Sequence, residues 1–363
     1  MYRLTHLLPP VLSRHLLGTF VRTTSLCLGA FLGIYLVVEF FDQFDAFLEQ
    51  GAGALSIVQY FLFRIPMIVT RVMPMAVLGG ILLGLGNLSR HNEFVALRAA
   101  GVSVWQLASA LLVAAVVISG GMFLWSEHVV PYASQHAHDV YASEIKKRPF
   151  KGKGRRQVWY RGLAGFYNIK HVSEKGLVGL TVFQVDAAFQ PRRVIEVDRA
   201  TWDTVGHRWN LFGSRAYRLD PAGRIQPESL DGFSLPESPA DFLAAPGEAE
   251  EFNYAGLRRY IVDLRRKGAD ASEYLVDLHL KLAAPFASLV MALVAIPLAT
   301  RGTRTSNLAG AVTLGLGIGF SYWVTLAFAQ ALGQGGALPP ALAAWIANAT
   351  FALLGFFLFL GAE

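Results

Sequence analysis

Two arginines stand where hydrocarbon is expected. Arg64 and Arg71 lie seven residues, two helical turns, apart inside the long apolar run 55–88, with Pro66 between them. A cation deep in a bilayer costs about 3 kcal/mol or more, and less near the interface, so each needs a reason to be there. One reason is snorkelling to lipid headgroups. The other is a grip on an anionic substrate group, bidentate where that group is a phosphate. The basic run Lys146, Lys147, Arg148, Lys151, Lys153, Arg155 and Arg156 has the same two readings, a solvated loop or an anion contact. His136 and His138 are two apart on a segment of helical pattern, which sends them to different faces and argues against a metal pair. Gly315-x-Gly317-x-Gly319 carries the glycines of a phosphate loop, but it sits mid-span with no strand before it and reads as helix packing. The chain contains no G-x-x-x-x-G-K-[ST], H-E-x-x-H, Cys/His pair or G-x-S-x-G. It therefore offers no nucleophile with its base, no metal or cofactor site, and no ATPase site of its own.

A second chemistry-bearing stretch is GNLSRHNEFVALRAAG, 86–101. It separates two apolar runs, so it turns the chain around at one membrane face. Asn92 can cap a helix, Glu93 suits the positive first turn, and Gly101 can end it in a left-handed conformation. Phe94, Leu97 and Gly101 share one face, with Arg90, Glu93 and Arg98 outside that stripe. A small amphipathic helix at about 89–101 results. It is either a solvated connector or a peg that docks into a soluble partner.

The elements that position these residues follow from hydropathy. Of 363 residues, 53% are hydrophobic, only 16% are charged and 25 are Phe; mean hydropathy is +0.40. A soluble chain carries closer to a quarter charged residues, so this is an integral membrane protein. The net charge of +6 falls on short loops and one cluster, without a helix-turn-helix or zinc spacing, so nucleic acid is not a partner. The single cysteine, Cys27, is inside an apolar run. The first segment is long enough to span and lacks a small-residue cleavage site.

Six spans emerge. Span one is Leu16–Phe41, with Asp42, Asp45 and Glu49 after it. The run 55–88 is interrupted by Pro66 and Pro74 and reads as an interfacial helix to about Ile65, then span two from about Ile68 to Leu88. Span three is about Val104–Trp125. Span four is about Leu275–Thr300, with bends at Pro285 and Pro297; span five is about Asn307–Leu332 and span six about Ala341–Leu360. Gly80-x-x-x-Gly84 and Gly315-x-x-x-Gly319 offer close-packing faces. Arg3, Arg14, Arg90, Arg98, Arg301 and Arg304 mark one side as inner, with both termini there. Between spans three and four lies a polar outer segment. A helical lead-out, 131–146, opens it. Short strand-like runs follow (QVWY, GFYNIKHV, LTVFQV, RVIEVDRATWD, RWNLF, SRAYRL), with a turn at 220–223, and read as an all-β sandwich or jelly roll. An acidic linker, 236–251, precedes a helix that Asn253 caps and Gly268 ends, with Leu257, Ile261 and Leu264 on one face. The expected plan is helices over 1–130, a β domain over 131–252, a connecting helix over 253–274 and helices over 275–363.

Three stretches together resemble one family, the lipopolysaccharide export permeases LptF and LptG. PMAVLGGILLGLGNLSRHNEFVALRAAGVS (74–103) is similar to its second span and coupling helix, and EHVVP (127–131) to its third-span exit. GLRRYIVDLRRKGADASEYLVDLHLKLAAPFASLVMALVAIPLA (256–299) resembles its lead-in helix and fourth span. The likeness spans nearly the whole chain, and the LLGLG run and NE pair are nearer the LptG than the LptF branch. It implies an ABC-transporter half in the Gram-negative inner membrane, with its β jelly roll in the periplasm. The implied partners are a sister permease, an LptB-like ATPase dimer that holds the ATP and Mg, an LptC-like bridge protein, membrane lipids and lipopolysaccharide. On this chain the resemblance makes Arg90, Asn92, Glu93, Phe94, Leu97 and Arg98 the ATPase contact, with Glu93 as its acidic member. The family tends to place basic residues at the outer end of span one, where Glu39, Asp42 and Asp45 stand here. That departure moves the expected phosphate grip to Arg64, Arg71 and His138. Phe40 and Phe41 on span one, with Phe320, Tyr322 and Trp323 on span five, are either lining of a lipid cavity or helix packing. The rival classes are a lipoprotein-release or efflux permease, which usually has four spans around an outer domain, and a membrane anchor that recruits partners through its β domain.

Overall fold

A computed structural model describes residues 10–361 except 50, 92, 142–153, 163–164, 174–175, 186–190, 204–205, 207, 220–224, 231–234, 236–248, 267–269 and 302–307. The basic residues 146–153, the turn at 220–223, most of the acidic linker, and Asn92, Gly268 and Arg304 lie outside them. Eight α-helices are described: α1 Pro10–Glu49, α2 Ala54–Arg90, α3 Glu93–Ala99, α4 Val104–Val140, α5 Tyr254–Arg266, α6 Ser272–Arg301, α7 Leu308–Gln334 and α8 Pro340–Leu360. Six of them are long and apolar enough to cross a membrane. The chain divides into two units, one helical and one containing the sheet, with residues 131–141 belonging to the helical one.

Three helices run further than their hydropathy suggests. Span one extends at both ends into the 40-residue α1. The expected break at Pro66 is absent, because α2 runs unbroken through Pro66 and Pro74. Each proline removes one intrahelical bond, a loss that a packed spanning helix tolerates. The acceptor left without its N–H at Pro66 is Leu62 O, one turn back, while the Pro66 carbonyl itself accepts from the Thr70 hydroxyl and from the Trp125 indole at 3.2 and 3.0 Å, the second of which ties α4 to α2. Span three and the lead-out at 131–140 are likewise one helix, α4, which passes through Pro131. It opens on a capping box in which the Ser103 hydroxyl accepts from Gln106 N–H and the Gln106 amide oxygen accepts from Ser103 N–H.

Both glycine pairs pack against or along α2. A Cβ on Gly80 would come within 2.7 Å of the Thr24 backbone, so only glycine lets α1 this close. The Thr23 hydroxyl exploits the approach and donates to Gly80 O at 2.7 Å. Gly315 and Gly319 of α7 meet Leu82 and Met75 of α2. At 100° per residue those two side chains lie about 140–160° round α2 from Gly80. So α1 and α7 take opposite flanks of α2. Its remaining surface, with Val77, Leu78, Ile81 and Leu85, joins Leu107, Leu111, Met291, Val294 and Ala295 of α4 and α6 in the buried core.

The six described strands are β1 Gly154–Gly162, β2 Gly165–Ser173, β3 Gly176–Val185, β4 Pro191–Asp203, β5 Arg208–Leu219 and β6 Ile225–Glu228. RWNLF and SRAYRL are thus one strand, β5. Each described strand pairs antiparallel with the next in sequence, in the order β1-β2-β3-β4-β5-β6. Tyr167 opposite Val182, Ile169 opposite Leu180, and Ile195 opposite Ala216 put one face in the core. The ladders skip Gln157, Lys170, Gly179, Asp198 and Gly213, a single line of unpaired positions across five strands. On crossing it the buried parity changes: Leu177 and Leu180 are both inside, as are Val197 and Ala200. Gly179 (φ +66°) and Gly213 (φ +65°) supply the left-handed backbone this kink needs.

Candidate functional site

At one end of the helical unit, α2 finishes at Arg90 and α3 begins at Glu93, so the expected single helix from 89 is the end of one helix and the start of another. Gly101 adopts φ +84°, and Val102 N–H bonds to Leu97 O at 3.1 Å, the 6→1 closure of a Schellman cap. Arg90 and Glu93 are exposed, whereas Leu97 turns inward against the core. Between α3 and α1 runs an apolar crevice of about 220 Å³ lined by Leu12, His15, Leu16, Leu88, Glu93, Ala96 and Leu97. Glu93 Oε2 lies 3.2 Å from His15 Nε2 across its mouth. His15 was not among the expected site residues, and a lone histidine 78 residues upstream carries no spacing signal for this contact.

About one membrane thickness away is a ring of charge. Arg71 lies 19 residues from Arg90 along α2, and Tyr35 lies 21 from Arg14 along α1. At 1.5 Å per residue these are about 28 and 31 Å, close to the hydrocarbon thickness of about 30 Å. Arg71 donates from Nη1 to the Tyr35 hydroxyl at 2.9 Å and from Nη2 to Glu250 Oε1 at 3.0 Å. Glu250 belongs to a 3-10 turn, Ala249–Glu251, beside α4 and α6. That turn and the start of α5 are tied to α4 three ways. Gln135 Nε2 donates to Glu251 O at 2.6 Å, His138 Nδ1 lies 3.1 Å from Glu251 Oε1, and Glu127 Oε2 accepts from Tyr254 N–H at 2.9 Å. Asn253 caps α5 through Gly256 N–H, as its sequence position predicts. Lys281 of α6 lies within electrostatic reach of Glu250, Glu127 and Asp277.

Beyond that ring, α1 and α2 continue. Arg64 Nε donates to Glu39 Oε1 at 2.9 Å, and Tyr60 OH donates to the same oxygen at 3.4 Å. The side chains are only 19% and 10% exposed, so this pair is closed to solvent. The Arg71–Glu250 pair is more open, at 37% and 36%. Glu39, which breaks the family's pattern at the outer end of span one, is thus the counter-ion of Arg64. Phe40 sits in an aromatic cluster with Phe44, Phe47 and Phe61 at 5.7–6.2 Å between ring centres. Phe41 points outward at 69% exposure.

The expected lining residues separate. Phe320 (69%) and Trp323 (37%) are on the outer face of α7, but Tyr322 is buried. Its hydroxyl donates to Asn348 Oδ1 at 2.9 Å, and Asn348 Nδ2 donates to Ala283 O at 2.7 Å, a clamp joining α7, α8 and α6. Since α1 and α7 take opposite flanks of α2, Phe41 and Phe320 do not face one another across a cavity within one chain. His136 and His138 part as expected, His136 towards Phe63 and Tyr132 and His138 towards Glu251. No metal-binding cluster occurs among the described residues.

Comparison with known proteins adds a family. The lipopolysaccharide export system permease family LptF/LptG matches residues 14–361. The chain is 23% identical over 356 residues to the lipopolysaccharide export system permease protein LptG of Escherichia coli (strain K12), covering 96% of this chain and 97% of that one. It is 22% identical over 323 residues to the LptG protein of Haemophilus influenzae, covering 86% and 87%. With six spanning helices, a β domain inserted after the third and a match across nearly its whole length, the chain belongs to the LptF/LptG family of lipopolysaccharide export permeases.

Proposed function

We propose that this chain is the LptG-type half of a transporter that lifts lipopolysaccharide out of the outer leaflet of the inner membrane and passes it to a periplasmic bridge of β domains. The observation that carries the reading is the match over residues 14–361, and the relatives named LptG support the branch. The basic residues on the short loops support a cytoplasmic α3 and a periplasmic β domain. Withdrawing one acyl chain of about twelve carbons costs roughly 10 kcal/mol at about 0.8 per CH₂, and the substrate has several. An external motor is therefore needed, and α3 is the part that meets it, an LptB-like ATPase dimer. Glu93 and Arg90 present charge to that motor while Leu97 anchors the knob to α1 and α2. The outward aromatic faces of α1 and α7 await a sister permease. Phe41 on one chain and the counterpart of Phe320 on the other then line a shared lipid chamber, with Arg71 at its charged rim. Edge strands of the β domain join neighbouring domains, an LptC-like one included, by strand addition.

Glu93→Lys tests the motor contact. Co-purification of the ATPase with the variant should drop at least tenfold, and ATP-driven release of lipopolysaccharide from proteoliposomes should stop. Retention of a full, active complex would remove Glu93 from that interface, and release by this chain without any ATPase would overturn the reading as a whole.

A further inference from the structure

The Arg71 pair differs from an ordinary buried ion pair in two respects. It is open to the surroundings, and its acid is delivered by a short turn whose position is fixed by other bonds. Gln135, His138 and Glu127 of α4 hold residues 251–254, which leaves the Glu250 carboxylate presented to the guanidinium at high local concentration. Tyr35 fixes the other edge of the guanidinium. The cation is therefore neither free nor locked. It already carries an anion, and any incoming anion must displace it.

We propose that Glu250 is a built-in competitor that sets a threshold of affinity which a membrane lipid must exceed to occupy Arg71. This rests on the reading of Arg71 as the headgroup grip. A phosphodiester headgroup, such as the bulk phospholipids carry, brings one charge. Replacing a tethered carboxylate with it exchanges one monoanion for another and gains nothing. A phosphomonoester brings about 1.5 to 2 charges and three acceptor oxygens, enough to engage the guanidinium in two parallel bonds and to outcompete the carboxylate. When it does, Glu250 turns towards Lys281, a second cation within its electrostatic reach. The filter thus rejects the abundant lipid by occupying the site, with no need for a clash.

The test uses the native complex in phosphatidylcholine nanodiscs carrying either phosphatidylglycerol or bis-phosphorylated lipid A. A photocrosslinking residue replaces Val38, which is exposed one helical turn from Tyr35. Glu250→Gln should raise phosphatidylglycerol capture roughly threefold to fivefold, the range expected on removing a half-exposed counter-ion. With lipid A at a saturating level, where the site is filled with or without the competitor, its capture should stay within about twofold, and Glu250→Asp should keep the original preference. In the double variant with Arg71→Ala the gain should vanish. Unchanged phosphatidylglycerol capture, or a gain that survives Arg71→Ala, overturns the filter. If the phosphatidylglycerol gain appears while lipid A is never captured, the filter stands and the lipopolysaccharide reading fails instead.

Discussion

The two arginines inside the apolar run turn out to be different things. Arg64 is closed around Glu39 with its guanidinium carbon 5.9 Å from the Tyr60 ring centre, whereas Arg71 shares its donors between a phenol and an exchangeable carboxylate. Removing one partner of a closed ion pair strands the other, a loss of about 3 kcal/mol or more. Glu39→Gln should therefore lower the thermal midpoint of the purified chain by several degrees. The swap Glu39→Arg with Arg64→Glu should restore most of it. Equal midpoints for Glu39→Gln and the native chain would show that the pair contributes nothing to α1–α2 packing. Both arginines were visible as anomalies in the sequence. Their partners lie 25 and 179 residues away, and no local pattern encodes such a pairing.

At the scale of elements, hydropathy located every span and misjudged where several stop. It reports where lipid is tolerated, and a helix that continues past the membrane is held by contacts instead, such as Gln43 accepting from Tyr141 OH and the aromatic cluster around Phe40. Proline misleads for a related reason. An isolated helix that loses a backbone bond tends to break there, but α2 carries on because Tyr60, Met67 and Ile68, on either side of Pro66, are buried in its packing. In the β domain the last strand is short and depends on charge. Arg218 bonds to Glu228, and Arg193 lies 3.1 Å from its other oxygen. The Arg218 guanidinium, followed by Arg193, holds the Glu228 carboxyl below its usual value. A depressed carboxyl contributes stability above the unfolded value, about 4.3, and loses it as pH falls through the lower folded value. Amide protection of Ile225, Gln226 and Glu228 should accordingly fall below about pH 4.3, and in Glu228→Gln that of Ile225 and Gln226 should be weak and flat with pH. Protection in the native chain that stays constant to pH 2.5 would show that packing, not the Arg218 contact, holds β6.

For the whole molecule the orientation is open to direct measurement. Cys27 is buried within α1, so its replacement by Ala leaves a background free of thiols. Cysteines placed at Ala100 and Asn210, both exposed, should then label from opposite sides of the membrane: Asn210→Cys in intact spheroplasts, Ala100→Cys only after permeabilisation. Labelling of both from the same side would contradict the three-plus-three topology.

Sequence alone determined the class, the number of spans, the inserted β domain, the Schellman end of α3 at Gly101 and the cap at Asn253. Each of these is set by short-range physics, namely transfer of side chains into lipid, backbone freedom at glycine, and a side chain bonding its own next turn. The tertiary structure alone decided that α1 and α7 sit on opposite flanks of α2, that Tyr322 serves Asn348 and not a chamber, that Glu93 meets His15, and that Glu250 occupies Arg71. Those are meetings of residues far apart in the chain. They depend on which faces of several helices come together, and that is fixed only when close-packed glycines and buried polar groups are satisfied all at once.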